Sequence, residues 1–181
     1  MILRTFIIGA IGVVAIAVRA IAFDYPKEAL IYEGAVGTMK VKVTASAQPF
    51  SRAAHKTTEL RNAGTEEKQD WRSATVDGKK AVGTDETLPK DGFPQLSALT
   101  VWFGEQRVAV PVEYLHHVFL PRLKPAAFRD GYIGTLVAFS ADGKALYLSL
   151  GVGDGGGAGA YDLLIRSDGS VFNTPIQRPE P

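Results

Sequence analysis

The chain has 181 residues, 46% of them hydrophobic and 22% charged, with 20 Lys+Arg against 19 Asp+Glu and no cysteine. That length suits one domain with its own core. The missing thiols exclude disulfides, thiolate zinc sites and cysteine nucleophiles, and the near-neutral balance argues against nucleic-acid or anionic-membrane binding.

The first 22 residues read as an address. Arg4 precedes an uncharged, mostly apolar run of 14 residues, Thr5 to Val18, and Ala20-Ile21-Ala22 follows Arg19. A short apolar run ending in small residues is the layout of a secretory signal peptide, with cleavage expected before Phe23. A membrane span needs about 20 apolar residues, so the expected location is periplasmic or extracellular. The alternative is an inner-membrane anchor through an uncleaved N-terminal segment. Without Arg4 and Arg19 the chain carries 18 Lys+Arg against 19 Asp+Glu. No cysteine is present to make a lipoprotein, and no integral membrane domain is expected after cleavage.

In the expected domain, residues 23–175, ALIYEGAV (29–36) is β-prone. MKVKVTAS (39–46) alternates, with Met39, Val41, Val43 and Ala45 on one face and Lys40, Lys42 and Thr44 on the other. Period-two alternation marks a half-buried strand. Residues 48–94 read as a polar loop region. Within it Arg52–Asn62 reads equally as a short helix or as part of a long loop, Trp71–Val76 and Lys79–Val82 read as a hairpin around Asp77-Gly78, and 84–94 reads as a linker or surface loop.

From Gln95 the pattern sharpens. LSALTVWF is a strand, Gly104-Glu105-Gln106 a turn and RVAV the returning strand. Pro111 suits the first turn of a helix, VEYLHHVFL follows with Val112, Leu115 and Phe119 at helical spacing, and Pro121 ends it. Residues 132–172 read as an antiparallel meander. YIGTLVAFS and KALYLSLG flank Asp142-Gly143, YDLLIRS is a third strand, and VFN beyond Asp168-Gly169 is a fourth. The tail, 176–181, is expected to be disordered. The expected fold is mainly β, α+β at the margin: an antiparallel sheet or small sandwich with one short helix around residues 111–120.

Between the meander's second and third strands lies GVGDGGGAGAY, residues 151–161. GVGDGG matches G-x-G-x-x-G, but the dinucleotide fold needs a helix to follow, then a parallel strand and an acid about 20 residues on. Here YDLLIRSDG is β-like, so the nucleotide reading fails. A phosphate-binding P-loop fails for want of Gly-Lys-Ser/Thr. Asp154 alone supplies neither a calcium nonapeptide repeat nor an EF-hand. No G-x-S-x-G elbow is present.

The leading expectation is therefore a non-enzymatic, exported binding protein, of the inhibitor, immunity-type or envelope-accessory kind, whose partner is another protein or an envelope component. No cofactor is expected. The candidate contact is the glycine run, Asp154, Gly155, Gly156 and Gly157, with Tyr161 as an aromatic anchor. The alternative is an envelope hydrolase or metal-dependent enzyme using Glu113, His116 and His117, which share the expected helix at neighbouring positions.

Overall fold

The computed structural model describes residues 28–61, 72–85, 87–123, 135–153 and 158–174. Among the described residues, eleven strands form three antiparallel sheets. The first sheet has the order β1 (Ala29–Val36), β2 (Met39–Pro49), β6 (Pro94–Phe103), β7 (Gln106–Ala109). The second is the meander β8 (Leu136–Phe139), β9 (Ala145–Val152), β10 (Gly159–Arg166), β11 (Val171–Asn173). The third is small: β3 (Thr57–Arg61), β4 (Arg72–Val76) and β5 (Lys79–Lys80).

The alternating sequence explains the large sheets. Val41, Val43, Leu99, Val101 and Val108 from the first meet Leu146, Leu148, Leu150, Leu163 and Ile165 from the second in one continuous core. Two sheets sharing one core make a small sandwich. Burying each such Leu or Ile contributes about 1.5–3 kcal/mol. The small sheet closes over a separate cluster of Phe50, Ala74, Val76, Ala81 and Phe119.

Two expectations change. The 48–94 stretch carries the third sheet instead of being loop throughout, and the expected hairpin turns at Asp77-Gly78. Both turn residues have positive φ, 52° and 80°, as a two-residue type I′ hairpin requires. The helix expected over 111–120 is reduced to one 3₁₀ turn, Val112–Tyr114. Beyond it the chain turns through His117, bridges at Val118 and Phe119, and hydrogen-bonds to all three sheets or their continuations. Val82 donates to the His117 carbonyl, Leu96 to that of Val118, Leu120 to that of Pro94, and Gly153 to that of Leu120. A helix fenced by Pro111 and Pro121 would be too short to stand alone, so this backbone pairing prevails.

The expected signal peptide (1–22), most of the glycine run (154–157) and the tail (176–181) lie outside the described residues. No helix among the described residues is long and apolar enough to cross a membrane.

Candidate functional site

Polar side chains from four distant segments converge where the small sheet meets the sandwich. His55 follows the 3₁₀ turn Arg52–Ala54, which is held by Asp91 accepting the Arg52 N–H at 2.6 Å. Its ring stacks on Phe50 at 5.4 Å and meets the His116 ring edge-on at 5.0 Å. Asp77 reaches it from the β4–β5 turn. His55 Nδ1 lies 2.7 Å from Asp77 Oδ2, and Asp77 Oδ1 accepts the Lys56 N–H at 2.9 Å. His116 Nδ1 is 4.0 Å from the same Asp77 oxygen.

Gln95, fully buried on β6, sets the protons in this group. Its Nε2 donates to the His116 carbonyl at 2.6 Å and lies 3.2 Å from His55 Nε2, while its Oε1 accepts from Gln48 Nε2 at 3.3 Å. With that nitrogen fixed as a donor, His55 Nε2 must be the acceptor. The network thus assigns the His55 proton to Nδ1, which donates it to Asp77. Burial works to raise the pKa of Asp77, but the bonds from His55 and Lys56 N–H and the two imidazoles outweigh it, and the carboxyl titrates below its ordinary value. His116 is also lowered, by burial first and by His55 second, with Asp77 opposing.

His117 contacts the other side of the segment. It is buried, and its ring meets Tyr161 edge-on at 5.3 Å. Burial, then Lys79, then His116 lower its pKa to about 4, so it is neutral at pH 7. Here a cleft of about 470 Å³ opens between β5 and the β10–β11 pair. Lys79 and Lys80 line it on one side, and His117, Tyr161, Asp162 and Asn173 complete it. The Lys79 ammonium sits over the Tyr114 ring at 4.5 Å, a cation–π contact that holds it at the rim. Tyr161 donates its hydroxyl to the Tyr114 carbonyl at 2.7 Å, and burial pushes its pKa up to about 12. Ser149 donates to the Asp162 carboxylate from the neighbouring strand.

The candidate residues therefore separate. Tyr161 is almost fully buried and is part of the cleft wall. Asp154, Gly155, Gly156 and Gly157 lie outside the described residues, although β10, which begins at Gly159, supplies Ala160 and Tyr161 to the cleft. Glu113 is exposed on the 3₁₀ turn. His116 and His117 are split between the two sites, so Glu113, His116 and His117 do not form one group. Among the described residues, the set of histidine and acidic side chains placed to share a metal ion is His55, Asp77 and His116, with ligand atoms within 4.8 Å of one another. The sequence reading missed His55, Asp77 and Gln95. Only Asp77 carried a local signal, and that signal was for a turn.

Comparison with protein families, with curated proteins and with solved structures gives no match.

Proposed function

We propose that this chain is an exported, non-enzymatic binding protein that receives an acidic segment of a protein partner in the cleft between β5 and β10. The observation that carries the reading is the cleft's composition. Two lysines stand on one wall, a neutral histidine and a tyrosine ring lie across from them, and the strand that follows the glycine run supplies the far side. A concave site of this size with a few convergent polar groups is where recognition concentrates, and paired cations favour a carboxylate-rich partner. Asp154, Gly155, Gly156 and Gly157, which precede β10 in the sequence, remain the candidate second contact. The alternative of an envelope hydrolase built on Glu113, His116 and His117 has less support, because those side chains do not converge.

The test is capture of partners from envelope extract by the mature chain and by Lys79→Glu/Lys80→Glu, with N-terminal sequencing of the protein recovered from the producing cells. The reading expects a specific partner for the wild type, lost on charge reversal and weakened by added salt. It also expects a mature terminus at Phe23. Equal capture by both proteins would remove the cleft from the reading, and an intact Met1 terminus would remove the cleaved signal.

A further inference from the structure

The second polar site lies on the opposite side of the His116–His117 step and owes nothing to the cleft reading. We propose that His55, Asp77 and His116 form a binding site for a divalent transition-metal ion.

Three observations carry this. The ligand atoms come from separate segments that the fold fixes independently: the turn before β3, the β4–β5 turn, and the segment after the 3₁₀ turn. Their spacing is close to what an ion needs. Metal–nitrogen and metal–oxygen bonds of about 2.0–2.2 Å in a tetrahedron hold neighbouring ligand atoms roughly 3.3 Å apart. Asp77 Oδ2 stands 2.7 Å from one imidazole nitrogen and 4.0 Å from the other. A shift of well under ~1 Å toward His116 evens the two distances, within the bond lengths quoted for such sites. Asp77 is on an exposed turn, its side chain 45% accessible, so the carboxylate can move and coordination positions face solvent. Two imidazoles and one carboxylate suit Zn²⁺, Cu²⁺, Ni²⁺ or Co²⁺, and suit Ca²⁺ or Mg²⁺ poorly.

Gln95 makes the site distinctive. An ion on His55 Nδ1 requires that imidazole to carry its proton on Nε2, where it meets the donor nitrogen of Gln95. Metal-ligating histidines ordinarily have an acceptor at that place. Loading therefore inverts the His55 tautomer and forces the Gln95 amide to turn or withdraw from the His116 carbonyl. The ion is held less tightly than the same three ligands would hold it with an acceptor behind His55, and Gln95 is a positioning residue for metal affinity.

The experiment titrates the metal-free protein with Zn²⁺, and with Co²⁺ as a spectroscopic probe, by calorimetry and absorbance. Nitrogen-15 NMR of the histidine rings is recorded before and after. The expected result is one ion per chain, His55 protonated on Nδ1 before loading and on Nε2 after it, and no tautomer change at His117. His116→Ala is expected to lower affinity by at least the ~10–100-fold that loss of an outer-shell partner brings. Glu113→Ala binds as wild type, and Gln95→Leu binds more tightly. Because Gln95 is buried, that variant is read only after its circular dichroism matches the wild type; His116→Ala and the ring spectra decide the matter without it. Equal Zn²⁺ affinity for wild type and His116→Ala, no saturable binding, or a His55 ring still protonated on Nδ1 with Zn²⁺ bound would each overturn the proposal.

Discussion

Replacing Gly83 with alanine tests the junction where the three sheets meet. Gly83 has φ +83°, and a Cβ there would lie 2.2 Å from the Phe119 carbonyl oxygen and 3.1 Å from the Gly153 nitrogen. Both obstacles are backbone, so no side chain can swing aside. The left-handed conformation alone costs a residue with a Cβ about 1–2 kcal/mol. Relieving the clash must displace the strand around Phe119, which donates to the Val82 carbonyl at 2.9 Å while Gly153 donates to that of Leu120 at 3.1 Å. Weakening two such bonds adds roughly 2 kcal/mol, and the stiffer unfolded chain returns about 0.4–1 kcal/mol. The net loss is about 3 kcal/mol, a large part of the roughly 5–15 kcal/mol that holds a domain together. Urea unfolding followed by far-ultraviolet circular dichroism reads it as a midpoint lowered by about 1.5 M for a slope near 2 kcal/mol/M. Gly92→Ala is the internal control, because Gly92 has φ +84° with nothing within 4 Å of its Cβ position. Equal losses at the two glycines, or a loss below about 1 kcal/mol at Gly83 against the conformational cost alone, would refute the close-approach argument.

Two further outcomes follow from the core and the cleft wall. Leu148→Ala, at a fully buried position between the two large sheets, is expected to lose about 2–5 kcal/mol in the same assay. Tyr161 gives a pH dependence: its pKa rises from 10.0 to about 12 because burial disfavours the phenolate. The folded state then holds the proton more tightly than the unfolded one, so this contribution is complete below pH 10 and is lost as pH rises from 10 to 12. Two pKa units correspond to about 2.7 kcal/mol. Tyr161→Phe keeps the ring, loses about 1 kcal/mol at pH 7 with the bond to the Tyr114 carbonyl, and should show a shallower alkaline decline. Parallel declines for both proteins would contradict the assignment.

The strands of the sandwich were legible because each has one face in the core and one in water. Val41 and Val43 alternate with Lys40 and Lys42, and the turn signals at Asp142-Gly143 and Asp168-Gly169 fall where the structure turns. The third sheet was harder to read. Asp77-Gly78 signals its β4–β5 hairpin, but its buried face offers only Ala74 and Val76 from β4 to the small core, and β3 reads TTELR without apolar alternation. The segment 111–120 misled for the opposite reason. Its apolar residues do fall at helical spacing, but Val118 and Phe119 are buried through an extended backbone whose partners, near residues 82 and 95, are remote in sequence. The candidate metal site was illegible for the same cause: residues 55, 77, 95 and 116 share no spacing, and only the pairing of the chain between them makes them neighbours.

That pairing also explains why both sites lie where they do. The inner faces of the large sheets are filled by aliphatic side chains, and a buried polar group there would have no partner. At the junction, the segment from His116 to Leu120 is bounded by backbone on several sides, so carbonyls such as that of His116 remain to accept from side chains. Gln95 takes that carbonyl and fixes His55, and Tyr161 takes the one at Tyr114 and closes the cleft wall. His116 and His117 close the turn that precedes the bridges at Val118 and Phe119, and from it His116 reaches Asp77 while His117 reaches Tyr161. The turn that ends at His117, where a longer helix was expected, therefore leaves two consecutive histidines serving two separate sites.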